Sequence, residues 1–200
     1  MKTETEVYVS TDVEADGPIP GPHSMLSLAS VAYRVQTLAG EGLKKQILGT
    51  FSANLELLPE ASPDPRTQAW WQGFPEAWAA CRRDPRSPQI VMQEYLSWLK
   101  ALPGRVIFLG FPASWDFMWV YWYLVRFTGE RPFREHAIDV RSYAMGMRKV
   151  SFQETARTYL PQRWFDSELR HTHVALDDAL EQGAMFCNML AENCKPSLKE

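Results

Sequence analysis

The stretch VYVSTDVEADG, residues 7–17, decides how the rest of this sequence is interpreted. Its first three residues are apolar and favour a buried strand, yet Asp12, Glu14 and Asp16 follow within a few positions. Carboxylates this close together repel one another and resist burial. The segment is therefore either a solvated loop after a strand or a place where a positive charge binds.

The composition is that of an ordinary globular protein. Hydrophobic residues make up 46% and charged residues 22% of the 200 residues, which is enough for one sizeable core. We therefore expect a single domain over 1–200, with its core over about 6–193. The formal net charge is −3, so any nucleic-acid partner must be held by local Arg clusters or by bound cations.

The cysteines and the N-terminus favour a cytoplasmic protein. Cys81, Cys187 and Cys194 are an odd number without paired spacing, which argues against a disulfide framework or a zinc knot. The polar start MKTETE does not resemble a signal peptide. No apolar run approaches the length of a membrane span, so we expect no membrane association.

The periodicity predicts a mixed α/β arrangement. Apolar runs bounded by Pro, Gly or polar residues predict five strands, at 6–13, 25–36, 46–57, 105–111 and 137–140. Helical spacing predicts short helices within 68–85 and further helices at 88–101, 115–128, 151–159 and 175–193. Ser114 is the expected N-cap of the helix that Gly129 ends.

The first strand ends in a pair of carboxylates with strand spacing. Asp12 and Glu14 are two positions apart, and on a strand such residues point to the same face. Two carboxylates on one face offer the oxygen ligands that hard divalent cations bind. The spacing alone also fits a solvated strand end, and Asp16 is interpreted as a cap of the Pro-rich turn that follows.

A third carboxylate, Asp116, falls in the first turn of the predicted helix 115–128, directly after a buried strand. A negative charge is favoured there by the helix dipole and by free N–H groups. A structural role at the helix N-terminus and a role in a site are therefore both open.

The segment HTHVALDDALEQ, residues 171–182, combines histidine with carboxylates. His173 and Asp178 are five positions apart, which on a continuous helix places them about 140° apart. They can converge only if His173 lies in the loop before the helix. Asp177 could instead pair with His173 on one helix face, or cap the helix, and His171 is interpreted as a loop residue.

Taken together, the three stretches resemble one family, the DEDDh 3′–5′ exonucleases of ribonuclease H-like fold, which include ribonuclease T-like and DNA polymerase III epsilon-like enzymes. The family motifs correspond here to Asp12-Val13-Glu14, to Asp116, and to His173 through Asp178. The match extends over roughly 6–187 in order and spacing. The resemblance implies a five-stranded sheet of order 3-2-1-4-5, with the second strand antiparallel and helices on the flanks.

The resemblance also implies a metal-dependent mechanism. The carboxylates of Asp12, Glu14, Asp116 and Asp178 would bind two divalent cations, Mg²⁺ or Mn²⁺, with Asp12 between them. His173 would be the general base that takes a proton from the attacking water. The expected reaction is removal of nucleoside 5′-monophosphates from the 3′ end of single-stranded RNA or DNA.

Substrate contacts are predicted from the neighbours of these motifs. Family members contact the 3′-terminal nucleotide just after the first motif, which here indicates Ala15 and Ile19, and aromatic rings flank the central motif at Phe111 and Trp115. Two departures bear on these contacts: Phe111-Pro112 replaces a common His-Asn, and Ala15-Asp16-Gly17 replaces the usual residues after the first motif.

Two rival functions stay open at the level of sequence. One is a phosphodiesterase for short oligonucleotides or dinucleotides, and the other is a non-catalytic nucleic-acid-binding protein of the same fold. The complete set of motif residues argues against the second. The sequence does not distinguish DNA from RNA, and its many Trp residues permit a homodimer.

Overall fold

The computed structural model describes residues 5–38 and 42–194. Five strands form one mixed sheet, namely β1 (Glu6–Ala15), β2 (Met25–Leu38), β3 (Gly42–Asn54), β4 (Arg105–Gly110) and β5 (Ala137–Asp139). Their order in the sheet is β3-β2-β1-β4-β5. β2 is antiparallel to both of its neighbours, whereas β1, β4 and β5 run parallel. The expected sheet order is confirmed; the ends of the expected domain, 1–4 and 195–200, lie outside the described residues.

In the described part of the chain, six α-helices flank the sheet, namely α1 (Pro65–Trp71), α2 (Pro75–Cys81), α3 (Pro88–Ala101), α4 (Ala113–Thr128), α5 (Val140–Arg148) and α6 (Ala175–Asn193). The predicted bounds of α3 and α6 are confirmed. Gly129 ends α4 in the left-handed conformation with φ 72°, because glycine has no Cβ to oppose that backbone. Pro75 begins α2, where its missing N–H costs nothing.

The central strand β1 alternates its side chains between two cores. Val7 and Val9 are fully buried in the core that contains Trp119 of α4. On the opposite face, the Ser10 hydroxyl donates to the backbone oxygen of Ala179 in α6 at 2.8 Å. Residues of β1 with even numbers therefore face α6.

The helix α6 approaches β1 unusually closely. Gly183 lies where an added Cβ would come within 2.8 Å of the Ser10 Cβ. The neighbouring Gln182 side chain donates to the backbone oxygen of Thr11 at 2.7 Å. The lack of a side chain at Gly183 thus sets the distance between α6 and the strand that carries Asp12.

The third strand was predicted to continue to residue 57, and this is wrong by three residues. The Leu55 N–H still donates to the backbone oxygen of Leu26 in β2, and the chain then turns away: the Glu56 N–H donates to the backbone oxygen of Arg86, with which Leu55 forms an isolated bridge. The Asn54 side chain fixes this departure by donating to the backbone oxygens of Ala80 and Arg83.

One local prediction about helices is also wrong, and another is confirmed only in part. Ser114 is not the N-cap of α4, because the helix begins at Ala113 and the Asp139 carboxylate accepts from the Ala113 N–H at 2.9 Å. Residues 151–159 form two short 3₁₀ helices, Phe152–Thr155 and Arg157–Tyr159, rather than one α-helix. The extended backbone of Ala156 separates them.

Within residues 5–38 and 42–194, none of the helices has the combination of length and apolar character needed to cross a membrane.

Candidate active site

Two carboxylates of the site come from β1. Asp12 and Glu14 continue the series of Ser10 on the face toward α6, as their spacing predicts. Glu14 is buried and Asp12 is half-buried. The strand holds both residues by pairing on one side with β2, where Asp12 lies opposite Ala29. The site therefore begins on the central strand of the sheet.

Asp116 reaches the same place from the first turn of α4. It is 2% exposed, and its carboxylate accepts from the Val13 N–H of β1 at 3.2 Å. The turn from β4 into α4 is tight, because a Cβ on Gly110 would lie 2.8 Å from the Ala113 Cα and 3.0 Å from Asp116 Oδ2. This turn places the Asp116 carboxylate next to Val13 of β1.

Asp178 lies in the first turn of α6 and organises the loop before it. Its two carboxylate oxygens accept from the backbone N–H groups of Thr172 at 2.8 Å and His173 at 3.2 Å. His171 Nδ1 lies 2.7 Å from Asp178 Oδ2, at the distance of an ion pair or hydrogen bond. One buried carboxylate thus fixes the backbone at two positions of the histidine-bearing loop.

The carboxylates from β1 and α6 converge, and the Asp116 charge of α4 acts on those of β1. One oxygen from each of Asp12, Glu14 and Asp178 lies within 4.8 Å of the others. Burial first, and then repulsion by Asp116 and the other carboxylates, raises the pKa of Asp12 well above its ordinary value. Burial and the charges of Asp178 and Asp116 do the same to the pKa of Glu14.

Burial also raises the pKa of Asp116, although backbone N–H groups, the Val13 N–H foremost, oppose the shift. Such a group of buried, mutually repelling carboxylates is unfavourable when all of its members are charged. Divalent cations would remove that penalty, because hard cations bind carboxylate oxygens. The residues present therefore fit the metal site that the sequence predicts.

His173 lies in the loop before α6, as convergence with Asp178 requires. Its backbone has φ 59°, a left-handed conformation uncommon for residues other than glycine. Its ring packs edge-on against Trp70 and Phe74, with ring centroids 5.0 and 4.3 Å apart. Burial, followed by the neighbouring His171, lowers the pKa of His173, so the neutral ring is favoured.

Asp16 and Asp177 lie outside the carboxylate group and make local hydrogen bonds instead. Asp16 is buried and its carboxylate accepts from the Ser24 N–H at 2.6 Å, which closes the Pro-rich turn. Asp177 is exposed and accepts from the Thr172 hydroxyl at 2.8 Å. Neither joins the group formed by Asp12 and Asp178.

A cavity of about 400 Å³ adjoins the carboxylates on the side of Glu14. Its lining comprises Val13, Glu14, Ala15, Arg66, Thr67, Trp70, Trp71 and Trp115. It includes the predicted contacts Ala15 and Trp115. Ile19 is 48% exposed and does not line it, and Phe111 lies instead beneath the Arg157 guanidinium at 5.2 Å.

Trp70 and Trp71 both line this cavity but differ in exposure. Trp71 is buried and its indole N–H donates to the backbone oxygen of Ala15 at 3.0 Å. Trp70 is 43% exposed and faces the cavity and His173. Of these two rings, only that of Trp71 is buried.

Sequence reasoning missed Arg157 and Glu181. They form an ion pair near the site, with Glu181 4% exposed. The Arg157 charge opposes the raised pKa of Asp12. No local pattern could reveal the pair, because the two residues are 24 positions apart and Arg157 lies in a 3₁₀ helix.

Comparisons with known proteins agree with this geometry. No protein-family model matches the chain. The chain is 30% identical to the 3′–5′ DNA exonuclease Cap18 of Escherichia coli over 192 residues, which cover 93% of this chain and 92% of that protein.

Solved structures with the same fold are more distant in sequence. The nuclease domain of 3′hExo, a DEDDh family member bound to rAMP, superposes with a TM-score of 0.68 at 16% identity, covering 98% of this chain and 97% of that one. E. coli exonuclease I in complex with a dA16 oligonucleotide gives 0.63 at 12% identity, covering 92% of this chain but 40% of that longer one.

The sheet order and the superposition on these structures show that the chain has the ribonuclease H-like fold of these nucleases. The relationship to Cap18 over almost the whole of both chains then specifies the family. This chain belongs to the DEDDh family of 3′–5′ exonucleases.

Proposed function

We propose that this chain removes nucleotides one at a time from the 3′ end of single-stranded DNA and releases nucleoside 5′-monophosphates. The observation that carries the proposal is the convergence of Asp12, Glu14 and Asp178 within 4.8 Å, beside a histidine-bearing loop. The choice of DNA over RNA is supported by the name of the E. coli relative, a DNA exonuclease.

Asp12, Glu14, Asp116 and Asp178 are the proposed ligands of two divalent cations, Mg²⁺ or Mn²⁺. When bound, such cations lower the pKa of an attacking water and offset the negative charge that develops at the phosphate. The protein contributes rigid placement, because the four carboxylates come from β1 and from the first turns of α4 and α6. A rigid arrangement of ligands needs no reorganisation during the reaction.

His173 is the proposed general base. Its lowered pKa favours the neutral ring, which can accept a proton near neutral pH. Trp70 and Phe74 fix the ring from one side, while the backbone N–H of His173 is held by Asp178. The loop therefore delivers a deprotonated imidazole next to the carboxylates.

The cavity beside Glu14 is the proposed site of the 3′-terminal nucleoside. Its volume of about 400 Å³ falls in the range of small-ligand pockets. Trp70 and Trp115 supply aromatic walls of the kind on which unpaired bases stack. Ala15 also lines this cavity, and the contacts of Ala15, Ile19 and Phe111 with nucleic acid stay predictions.

The proposed setting is the cytoplasm, which is supported by three free cysteines, two of them buried. A homodimer also stays a prediction; light scattering of the purified protein would decide it.

The test compares single-stranded DNA, RNA of equal sequence and a linear dinucleotide, each with Mg²⁺ or Mn²⁺. The proposal predicts stepwise shortening of DNA from the 3′ end and slower cleavage of RNA. Faster cleavage of RNA would overturn the choice of DNA. Cleavage of the dinucleotide alone would favour the rival phosphodiesterase function.

A further inference from the structure

A second group of metal-ligand side chains shares Asp178 with the carboxylates of β1. One ligand atom from each of His171, His173 and Asp178 lies within 4.8 Å of the others. The rings of His171 and His173 are in edge contact, with centroids 4.5 Å apart. His171 has no part in the mechanism proposed above.

This group differs chemically from the carboxylate cluster. Asp12, Glu14 and Asp116 offer oxygen alone, which suits Mg²⁺ and Mn²⁺. Two imidazoles and one carboxylate instead match the three protein ligands of open zinc sites, which leave the fourth position to water. We propose that His171, His173 and Asp178 form a zinc site, and that zinc bound there inhibits the exonuclease.

The distances are compatible with zinc after small side-chain movements. Zinc binds histidine nitrogen and carboxylate oxygen at about 2.0–2.2 Å, so neighbouring tetrahedral ligands lie about 3.3 Å apart. His171 Nδ1 is 2.7 Å from Asp178 Oδ2, so these two atoms must move apart slightly when zinc binds. The His171 side chain is 36% exposed and is therefore free to make that movement.

The other two ligands are already fixed. Asp178 is held by the backbone N–H groups of Thr172 and His173. The His173 ring rests against Trp70 and Phe74. A site in which two of three ligands are ordered before binding loses little conformational entropy when the ion binds.

Inhibition follows from the shared residues, and this consequence rests on the proposed function. A His173 nitrogen that binds zinc cannot accept the proton of the attacking water. Asp178 also belongs to the group formed with Asp12 and Glu14, so zinc and the proposed Mg²⁺ would compete for its carboxylate. Zinc at this site and catalysis with Mg²⁺ therefore exclude each other.

Zinc binding is measured by isothermal titration calorimetry without nucleic acid, so its outcome does not depend on exonuclease activity. The variants are Asp12→Asn/Glu14→Gln, which removes the oxygen cluster, and His171→Gln, which removes one proposed zinc ligand. The matched control is His136→Gln, because His136 is exposed and distant in sequence. Thermal melting without metal checks that each variant folds.

The proposal predicts that zinc binding persists in Asp12→Asn/Glu14→Gln and His136→Gln and weakens by at least about tenfold in His171→Gln. Binding that is unchanged in His171→Gln, or lost in Asp12→Asn/Glu14→Gln, would overturn it and assign the ion to the oxygen cluster. Absence of zinc binding to the wild-type protein would overturn it as well.

The inhibition is tested on single-stranded DNA with saturating Mg²⁺ and increasing zinc, and each variant is normalised to its own rate without zinc. His171→Gln should need at least about tenfold more zinc than His136→Gln for half inhibition. Equal sensitivity of the two variants would overturn the inhibitory role. A protein that binds zinc through His171 but cleaves no nucleic acid would refute the proposed function and leave the zinc site intact.

Discussion

At the scale of single residues, the site combines groups that are unfavourable in isolation. Asp12 and Glu14 have raised pKa values because they are buried beside other carboxylates. His173 has a left-handed backbone and a ring enclosed by aromatic side chains. Such features persist where the surrounding structure holds them, and they often coincide with functional sites.

Replacing His173 by Gln should remove most of the turnover. The amide cannot accept a proton at neutral pH, so we expect a loss of roughly 100- to 10,000-fold in kcat. Mg²⁺ binding should change little, because the four carboxylates are untouched. Single-turnover cleavage of single-stranded DNA, together with calorimetric titration of Mg²⁺, measures both quantities.

The matched control for this substitution is His136→Gln, which makes the same chemical change on the exposed surface. It should cleave at the wild-type rate. A His173→Gln variant as fast as this control would refute the general-base role.

The carboxylate cluster should make the metal-free protein less stable as the pH rises. Because the folded-state pKa values of Asp12 and Glu14 are raised, these groups favour folding below their unfolded pKa near about 4. That contribution is lost as the pH rises through the folded pKa values. As the pH rises from about 4, Tm in EDTA should therefore fall more for wild type than for Asp12→Asn/Glu14→Gln. An equal fall in Tm in the two proteins would show that Asp12 and Glu14 do not cause the pH dependence.

At the scale of elements, α6 links the sheet to the histidine loop. Its first turn carries Asp178, and its middle lies against β1 at Gly183 and Ser10. A change in how closely the helix packs on the strand must therefore displace Asp178 relative to Asp12. The helix acts as a spacer between two parts of the site.

Gly183→Ala should both destabilise the protein and reduce its activity. The added methyl group would crowd the Ser10 side chain and the Tyr33 ring, and such overpacking costs about 1–3 kcal/mol. Urea unfolding measures the free energy of unfolding, and the rate of cleavage of single-stranded DNA measures the loss of activity that displacement of Asp178 should cause.

Gly146→Ala is the matched control, because Gly146 lies in α5 with no atom within 4 Å of an added Cβ. Alanine there should stabilise the protein by about 0.5–1 kcal/mol through helix propensity. If both substitutions stabilised the protein, the close approach of α6 to β1 would be refuted.

The sequence predicted those elements whose signals are local. Strand parity placed Asp12 and Glu14 on one face, and Gly129 ended α4 where its lack of a Cβ predicts. The prediction failed where partners are distant in sequence. The Asp139 carboxylate accepts from the Ala113 N–H at the start of α4, where Ser114 was the predicted cap.

The same limit explains Arg157, which is paired with Glu181 24 positions away and so has no local sequence signal. The position of His171 beside Asp178 likewise depends on the path of a loop. Distances between elements are set by packing, which a pattern of residue types does not specify.

At the scale of the whole molecule, the proposed metal binding would be coupled to stability. Asp12 comes from the central strand, Asp116 from α4 on one face, and Asp178 from α6 on the other. A cation that binds these carboxylates in the native state stabilises the fold by mass action. The same cation connects both helical layers to the sheet.

Asp12→Asn should therefore raise Tm in EDTA and remove most of the gain in Tm that Mg²⁺ gives to wild type. Relief of charge repulsion by about 1 kcal/mol corresponds to about 2–4 °C for a chain of this size. Differential scanning fluorimetry with and without Mg²⁺ measures both effects. A variant that melts below wild type in EDTA would show that Asp12 stabilises the metal-free fold.

The central claim is that these four carboxylates serve a metal-dependent exonuclease that acts from the 3′ end. The most direct measurement follows 5′-labelled single-stranded DNA over time with Mg²⁺, for wild type and for Asp12→Asn, and identifies the released products. The account predicts a ladder that shortens one nucleotide at a time, with nucleoside 5′-monophosphates as products and no cleavage by Asp12→Asn or in EDTA. Internal cuts, or equal cleavage by Asp12→Asn, would contradict it.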